Sequence, residues 1–133
     1  MKSYTDIEQS KKLAKILPLE SADMTYTPIM DIDSMTNSGF LNIPDCYPFN
    51  EFKDCNIKPL PCWSLAALLN VLPKIYYPIK DHKTDLILGK PKDKWCVLYW
   101  DTTGMQHGEE TLGDNPVDAC VDMIVKLKER NLI

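Results

Sequence analysis

Leu60-Pro61-Cys62-Trp63-Ser64-Leu65-Ala66-Ala67-Leu68-Leu69-Asn70-Val71-Leu72-Pro73 carries no charged residue, in a 133-residue chain of which 26% is charged. Bracketed by prolines, the run predicts a buried helix from about Cys62 to Val71, and the rest of the domain is expected to pack around it. That reading puts Cys62 in the first helical turn, where the dipole favours a thiolate.

Working outward, Trp95-Cys96-Val97-Leu98-Tyr99-Trp100 is aromatic and β-branched, the strongest strand signal in the chain. With Leu86-Ile87-Leu88-Gly89 before it and a polar turn over 90–94 between them, it predicts an antiparallel hairpin. Alternation places Trp95, Val97 and Tyr99 on one face and Cys96, Leu98 and Trp100 on the other. Both faces are apolar, so the sheet is either covered twice or keeps one face for a partner. Thr102 to Gly104 reads as a turn, Met105 to His107 as a third short strand and Gly108 to Gly113 as a loop.

Asn115-Pro116 opens the last helix, about 116–130, with Asp114 or Asn115 as its cap. Val117, Cys120, Val121, Ile124 and Leu127 recur at helical spacing, and Lys126, Lys128 and Arg130 suit its C-terminal end. At the other end of the sequence, Thr5-x-x-Glu8 has the form of a capping box, which predicts a helix from about Asp6 to Leu17 stopped by Pro18. Met24, Tyr26 and the residues to Ile32 suggest a short strand, weakened by Pro28.

From Ser34 to Pro61 periodicity is lost, yet Phe40, Tyr47, Phe49 and Phe52 fall here. Disordered segments are poor in aromatic residues, so 34–61 is expected to be a long irregular loop that packs through its rings. From Asp31 to Cys55 the chain is also acidic, with Asp31, Asp33, Asp45, Glu51 and Asp54 set against Lys53. Between the central helix and Leu86 runs a lysine-rich link carrying Tyr76, Tyr77 and Pro78. The expected architecture is a single α+β domain over 1–133: one small antiparallel sheet, three helices and an aromatic loop.

Composition narrows the function classes. The net charge is −4 and Arg130 is the only arginine, which argues against nucleic acid, where the arginine fork is favoured. No apolar run reaches the roughly 18 residues of a membrane span. The N-terminus shows no secretory signal and the five cysteines are odd in number, so reduced thiols and a cytoplasmic location are expected. The cysteines lack the close pairs of zinc sites, and no metal or cofactor is expected.

One catalytic pattern stands out. Cys62-Trp63, then His107, then Asn115 follow the chain order of papain-like cysteine hydrolases: nucleophile, base and orienting amide. Leu60 stands where that signature has glycine, so the match is a dipeptide plus an order of residues. The plain alternative for Cys62 is a small apolar residue in a core helix. The aromatic residues suggest instead a binding surface formed by Phe40, Tyr47, Phe49, Phe52 and Trp100.

Four segments, 5–14, 20–24, 61–69 and 115–121, resemble a family of small uncharacterised proteins of anaerobic gut bacteria and their phages. The resemblance implies a reducing cytoplasm and a gene on a phage or mobile element; it brings no activity, ligand or site. The expected function is thus a non-enzymatic binding or accessory protein whose partner is another protein or itself. The alternatives are a cysteine hydrolase and a small homo-oligomeric structural protein.

Overall fold

The computed structural model describes residues 1–31, 36–47, 49, 58–79, 82–101 and 109–133. Three helices and small antiparallel sheets make an α+β fold. The contacts gather into two compact units, Tyr4–Ala67 and Leu68–Ile133, the latter joined by Met1–Ser3.

In the unit Tyr4–Ala67, helix α1 spans Ile7–Leu13. Its N-cap is Asp6, whose carboxylate accepts from the Gln9 amide at 2.8 Å while the Gln9 side chain accepts from the Asp6 amide. The capping box is therefore shifted one residue from Thr5-x-x-Glu8, because Thr5 is drawn into the interior. After Leu13 the chain continues in tighter turns to Leu17 rather than as helix. A single 3-10 turn, Leu19–Ser21, follows.

Strands β1 (Met24–Tyr26) and β4 (Leu60–Cys62) pair antiparallel. On its other side, Thr25 exchanges both backbone hydrogen bonds with Asp45. Met24 and Tyr26 thus face β4, and Pro61, opposite Thr25, stands where its missing N–H is not needed. Strands β2 (Pro28–Asp31) and β3 (Thr36–Phe40) form a second hairpin, with a bulge between Ile29 and Met30. Gly39, facing Ile29 there, has φ +142°, which only glycine adopts without strain. The stretch expected to be irregular therefore contains β3 and ends in β4. Its short strands lack the alternation that would reveal them.

The uncharged run divides. Leu60–Cys62 is strand, and helix α2 begins only at Leu65 and ends at Val71. Ser64 explains the start: its hydroxyl accepts from the Ala67 amide at 3.2 Å, and Asp23 receives the Ser64 amide at 2.9 Å.

In the unit containing Leu68–Ile133, β5 (Ile75–Ile79), β6 (His82–Gly89), β7 (Trp95–Asp101) and β8 (Glu110–Gly113) form one antiparallel sheet in chain order. The β6–β7 hairpin forms as expected, but β6 begins at His82, four residues before the predicted Leu86. The lysine-rich link contains β5, and the stretch read as loop before Gly113 contains β8. The expected strand at 105–107 lies outside the described residues. Helix α3 spans Pro116–Glu129 with Asn115 as its cap, and packs on β7 and β8. All five residues of its predicted stripe are buried, with Ala119 and Met123 beside them. Each such aliphatic side chain withdrawn from water is worth about 1.5–3 kcal/mol, so α3 holds this sheet by packing. Glu109 adds ion pairs to Arg130 and Lys126, and Lys126 Nζ donates to the Glu110 carbonyl at 3.1 Å.

Candidate functional site

Cys62 is fully buried on β4, three residues before α2 begins, and not at a helix N-terminus. Its sulfur donates to the Thr5 carbonyl and accepts from Thr5 Oγ1, both at 3.5 Å. Thr5 Oγ1 also shares a 2.8 Å hydrogen bond with Ser10 Oγ and accepts from the Trp63 amide at 3.1 Å. Tyr26 donates its phenol to the Thr5 carbonyl at 2.7 Å. Tyr26, Leu60 and Cys62 are packed by Tyr4, Ile7, Met24 and Phe40.

Burial pushes the Cys62 thiol upward, against the smaller opposing effect of hydrogen bonds from Thr5, Ser10 and Tyr26. The Tyr26 phenol is likewise held above its ordinary range by burial, with Cys62 adding to it. A neutral, enclosed thiol is the opposite of an activated nucleophile. The helix-dipole activation expected for Cys62 is removed by Ser64, which takes the capping position.

The other two residues of the expected triad do not add to it. His107 lies outside the described residues. Asn115 uses both ends of its amide on Asp118, accepting from its backbone N–H at 2.9 Å and donating to its carboxylate at 2.7 Å. That is the work of a helix cap.

The expected aromatic surface separates in the same way. Phe40 is half-buried against the Tyr26 cluster and Phe49 is half-buried, while Tyr47 is exposed. Phe52 lies outside the described residues. Trp100 belongs to the other unit, where it is 39% exposed on β7.

Trp100 marks an open sheet face. The register pairs Asp85 with Trp100, Ile87 with Leu98, and Gly89 with Cys96 on one side of β7. On the other side it pairs Leu98 with Glu110 and Cys96 with Leu112. Cross-strand partners share a face, so Ile87, Leu98, Trp100 and Leu112 point the same way. They oppose buried Val97 and Tyr99, whose phenol donates to the Pro73 carbonyl at 2.6 Å. Helix α3 covers the Val97 side: Thr111, paired with Val97, donates to the Ala119 carbonyl at 2.7 Å. On the opposite side Ile87 is 42% and Leu112 55% exposed, with Leu98 half-buried between them.

Cys96 lies in this face yet is buried. Tyr99 and Glu109 form a hydrogen-bonded pair, which makes Cys96 and Leu112 a closely spaced non-hydrogen-bonded pair. The thiol donates to Glu110 Oε1 at 3.4 Å, and burial followed by the carboxylate pushes it up to about 11. Beside it Pro91, Lys92, Asp93, Lys94, Glu110 and Leu112 line a shallow depression of about 480 Å³.

Ile87 and Leu112 were absent from the expected surface. The signal for Leu112 was only the two-residue alternation of Glu110 and Leu112, too short to outweigh the glycines that flank it. Among the described residues no three His, Cys, Asp or Glu side chains gather as a metal site, and no helix is long and apolar enough to cross a membrane. No protein-family model, curated protein or solved structure matches the chain significantly.

Proposed function

We propose that this is a non-enzymatic binding or accessory protein that engages a protein partner through the open face of the β5–β8 sheet. The observation that supports the reading is the pairing of Ile87, Leu98, Trp100 and Leu112 on the side opposite α3. An exposed tryptophan with aliphatic neighbours on a rigid sheet has the make-up of an interface centre. The setting we assign it is the cytoplasm of an anaerobic gut bacterium, with the gene on a phage or mobile element.

A tagged wild-type chain and an Ile87→Lys/Trp100→Lys/Leu112→Lys variant, each passed over the same bacterial extract, test the reading. Matched circular dichroism shows that both are folded. Partners retained by the wild type and lost by the variant support the face; an identical set of retained proteins refutes it.

A further inference from the structure

Strand β8 is an outer strand of its sheet and makes contacts on both sides. Glu110 and Leu112 lie in the open face, paired with Leu98 and Cys96. Glu109 and Thr111 reach the other way, into contacts with α3. Leu112 therefore belongs to the face only while β8 is held in the sheet, and β8 is just four residues long. The end of α3 supplies a fastening at Glu109. Lys126 and Arg130, four residues apart, share one side of the helix. Both pair with the Glu109 carboxylate, Lys126 at 3.1 Å. The Glu109 side chain is only 13% exposed, which strengthens the pairs, while Lys126 at 35% and Arg130 at 57% keep them open to salt. Lys126 also donates to the Glu110 carbonyl. The helix is made to stop at this point. Asn131 takes φ 56°, and the Asn131 and Leu132 amides donate to the Lys128 and Leu127 carbonyls at 3.0 and 2.8 Å, the hydrogen bonds of a Schellman cap. Arg130 is thus fixed at the helix end. Across the sheet, the Tyr99 amide donates to the Glu109 carbonyl at 3.1 Å. One residue therefore joins α3 through its side chain and β7 through its backbone.

We infer that the last turn of α3 is an ionic latch that keeps β8 in the sheet, so that ionic strength regulates how often the open face is complete. The consequence for the face rests on the binding reading above; the latch itself is a property of the isolated chain. Closed, β8 places Leu112 and Glu110 beside the buried Cys96 thiol. Open, it uncovers that thiol, frees the Tyr99 amide and takes Leu112 out of the face. Such an opening is local, far short of unfolding.

Amide hydrogen exchange by NMR and iodoacetamide labelling read by mass spectrometry, both at one pH, test the latch on the full chain at about 0.02 M and about 1 M sodium chloride. Glu109→Gln keeps the shape of the side chain and removes its charge. In low salt the variant is expected to exchange the Tyr99 amide roughly fivefold faster than the wild type. Labelling of Cys96 is expected to quicken with it. The neighbouring Leu98 amide faces β6 instead of β8, and Cys120 is buried on α3; both are expected to keep their wild-type rates. High salt is expected to bring the wild type toward the variant and to leave the variant unchanged. The latch is overturned if Tyr99 and Cys96 do not respond, or if Leu98 and Cys120 accelerate equally with them. Should Glu109→Gln fail to fold, the salt response of the wild type at the same four positions decides. Neither readout needs a partner. A failed latch therefore leaves the binding reading to the extract experiment, and an extract that yields no partner leaves the latch standing.

Discussion

The two units bury different chemistry. Around Cys62 the interior is polar: Thr5, Ser10 and Thr25 are almost fully enclosed, and Tyr26 and Cys62 add a phenol and a thiol. Beneath α3 it is mostly hydrocarbon, with Val97, Val117, Val121, Met123, Ile124 and Leu127, while Tyr99 and the buried cross-strand pair Thr84 and Asp101 are its polar members. The β1–β4 pair is only three residues long on each strand, and side-chain hydrogen bonds to backbone from Thr5 and Tyr26 support it beside buried Leu13, Leu60 and Trp63. A region with a fourteen-residue helix on a four-stranded sheet is held by packing.

The sharpest way to break the comparison is in the apolar unit. Ile124→Ala is expected to cost about 3–4 kcal/mol in urea unfolding, the usual loss for a large aliphatic side chain removed from a core. A cost under 1 kcal/mol would mean that α3 is not held by packing. In the polar unit, Thr5→Val keeps the volume and removes the hydroxyl that serves Trp63, Ser10 and Cys62. The expected loss is about 2–3 kcal/mol, since buried donors are left without an acceptor. If Thr5→Val is neutral, the network is incidental to stability.

Gly113→Ala probes the seam between β8 and α3. A Cβ there would stand 2.8 Å from the Ala119 amide nitrogen and 3.1 Å from the Asn115 carbonyl oxygen. Both neighbours are backbone and yield little, so a loss of about 1–2 kcal/mol is expected from the same unfolding curves.

The thiols give a pH test. Burial pushes Cys120 up to about 12 and Cys96 up to about 11. Unfolded thiols ionise near 8.5, so between that pH and the folded values the native state binds more protons. Their stabilisation is therefore complete below about pH 8.5 and declines as pH rises through this window. Melting temperatures from pH 7 to 10 should fall, and Cys120→Ala should flatten part of the slope. Iodoacetamide should label exposed Cys46 well before Cys62, Cys96 and Cys120. Rapid labelling of Cys62 would refute its enclosure and return the hydrolase reading to consideration. The smallest change is expected from Trp100→Ser on the open face, within about 0.5 kcal/mol of wild type.

What could be read from the sequence follows the same division. The α3 stripe and the β6–β7 hairpin were legible because periodic burial writes itself into the order of residues, and Asn115-Pro116 marks a helix start with local chemistry. The β1–β4 pair was not legible, because its partners lie more than thirty residues apart and Pro61 reads as a breaker until Thr25 is seen to face Asp45. The helix start was misplaced by three residues because Ser64 is capped through distant Asp23. For the candidate surface, Trp100 was visible through alternation in β7, whereas Ile87 and Leu112 joined it only once the register was known. Cys62 misled because a cysteine before tryptophan and an apolar run looks the same whether a strand or a helix comes first.

Lys126, which holds the outward carbonyl of Glu110, has a consequence for the timing of synthesis. Strand β8 leaves the ribosome before the lysine that guards it. Until α3 has been made and folds back, β8 presents an open edge to any neighbouring chain. The vulnerable period of this protein is therefore the interval between the emergence of β8 and the docking of α3, and its length is set by how fast one helix folds back.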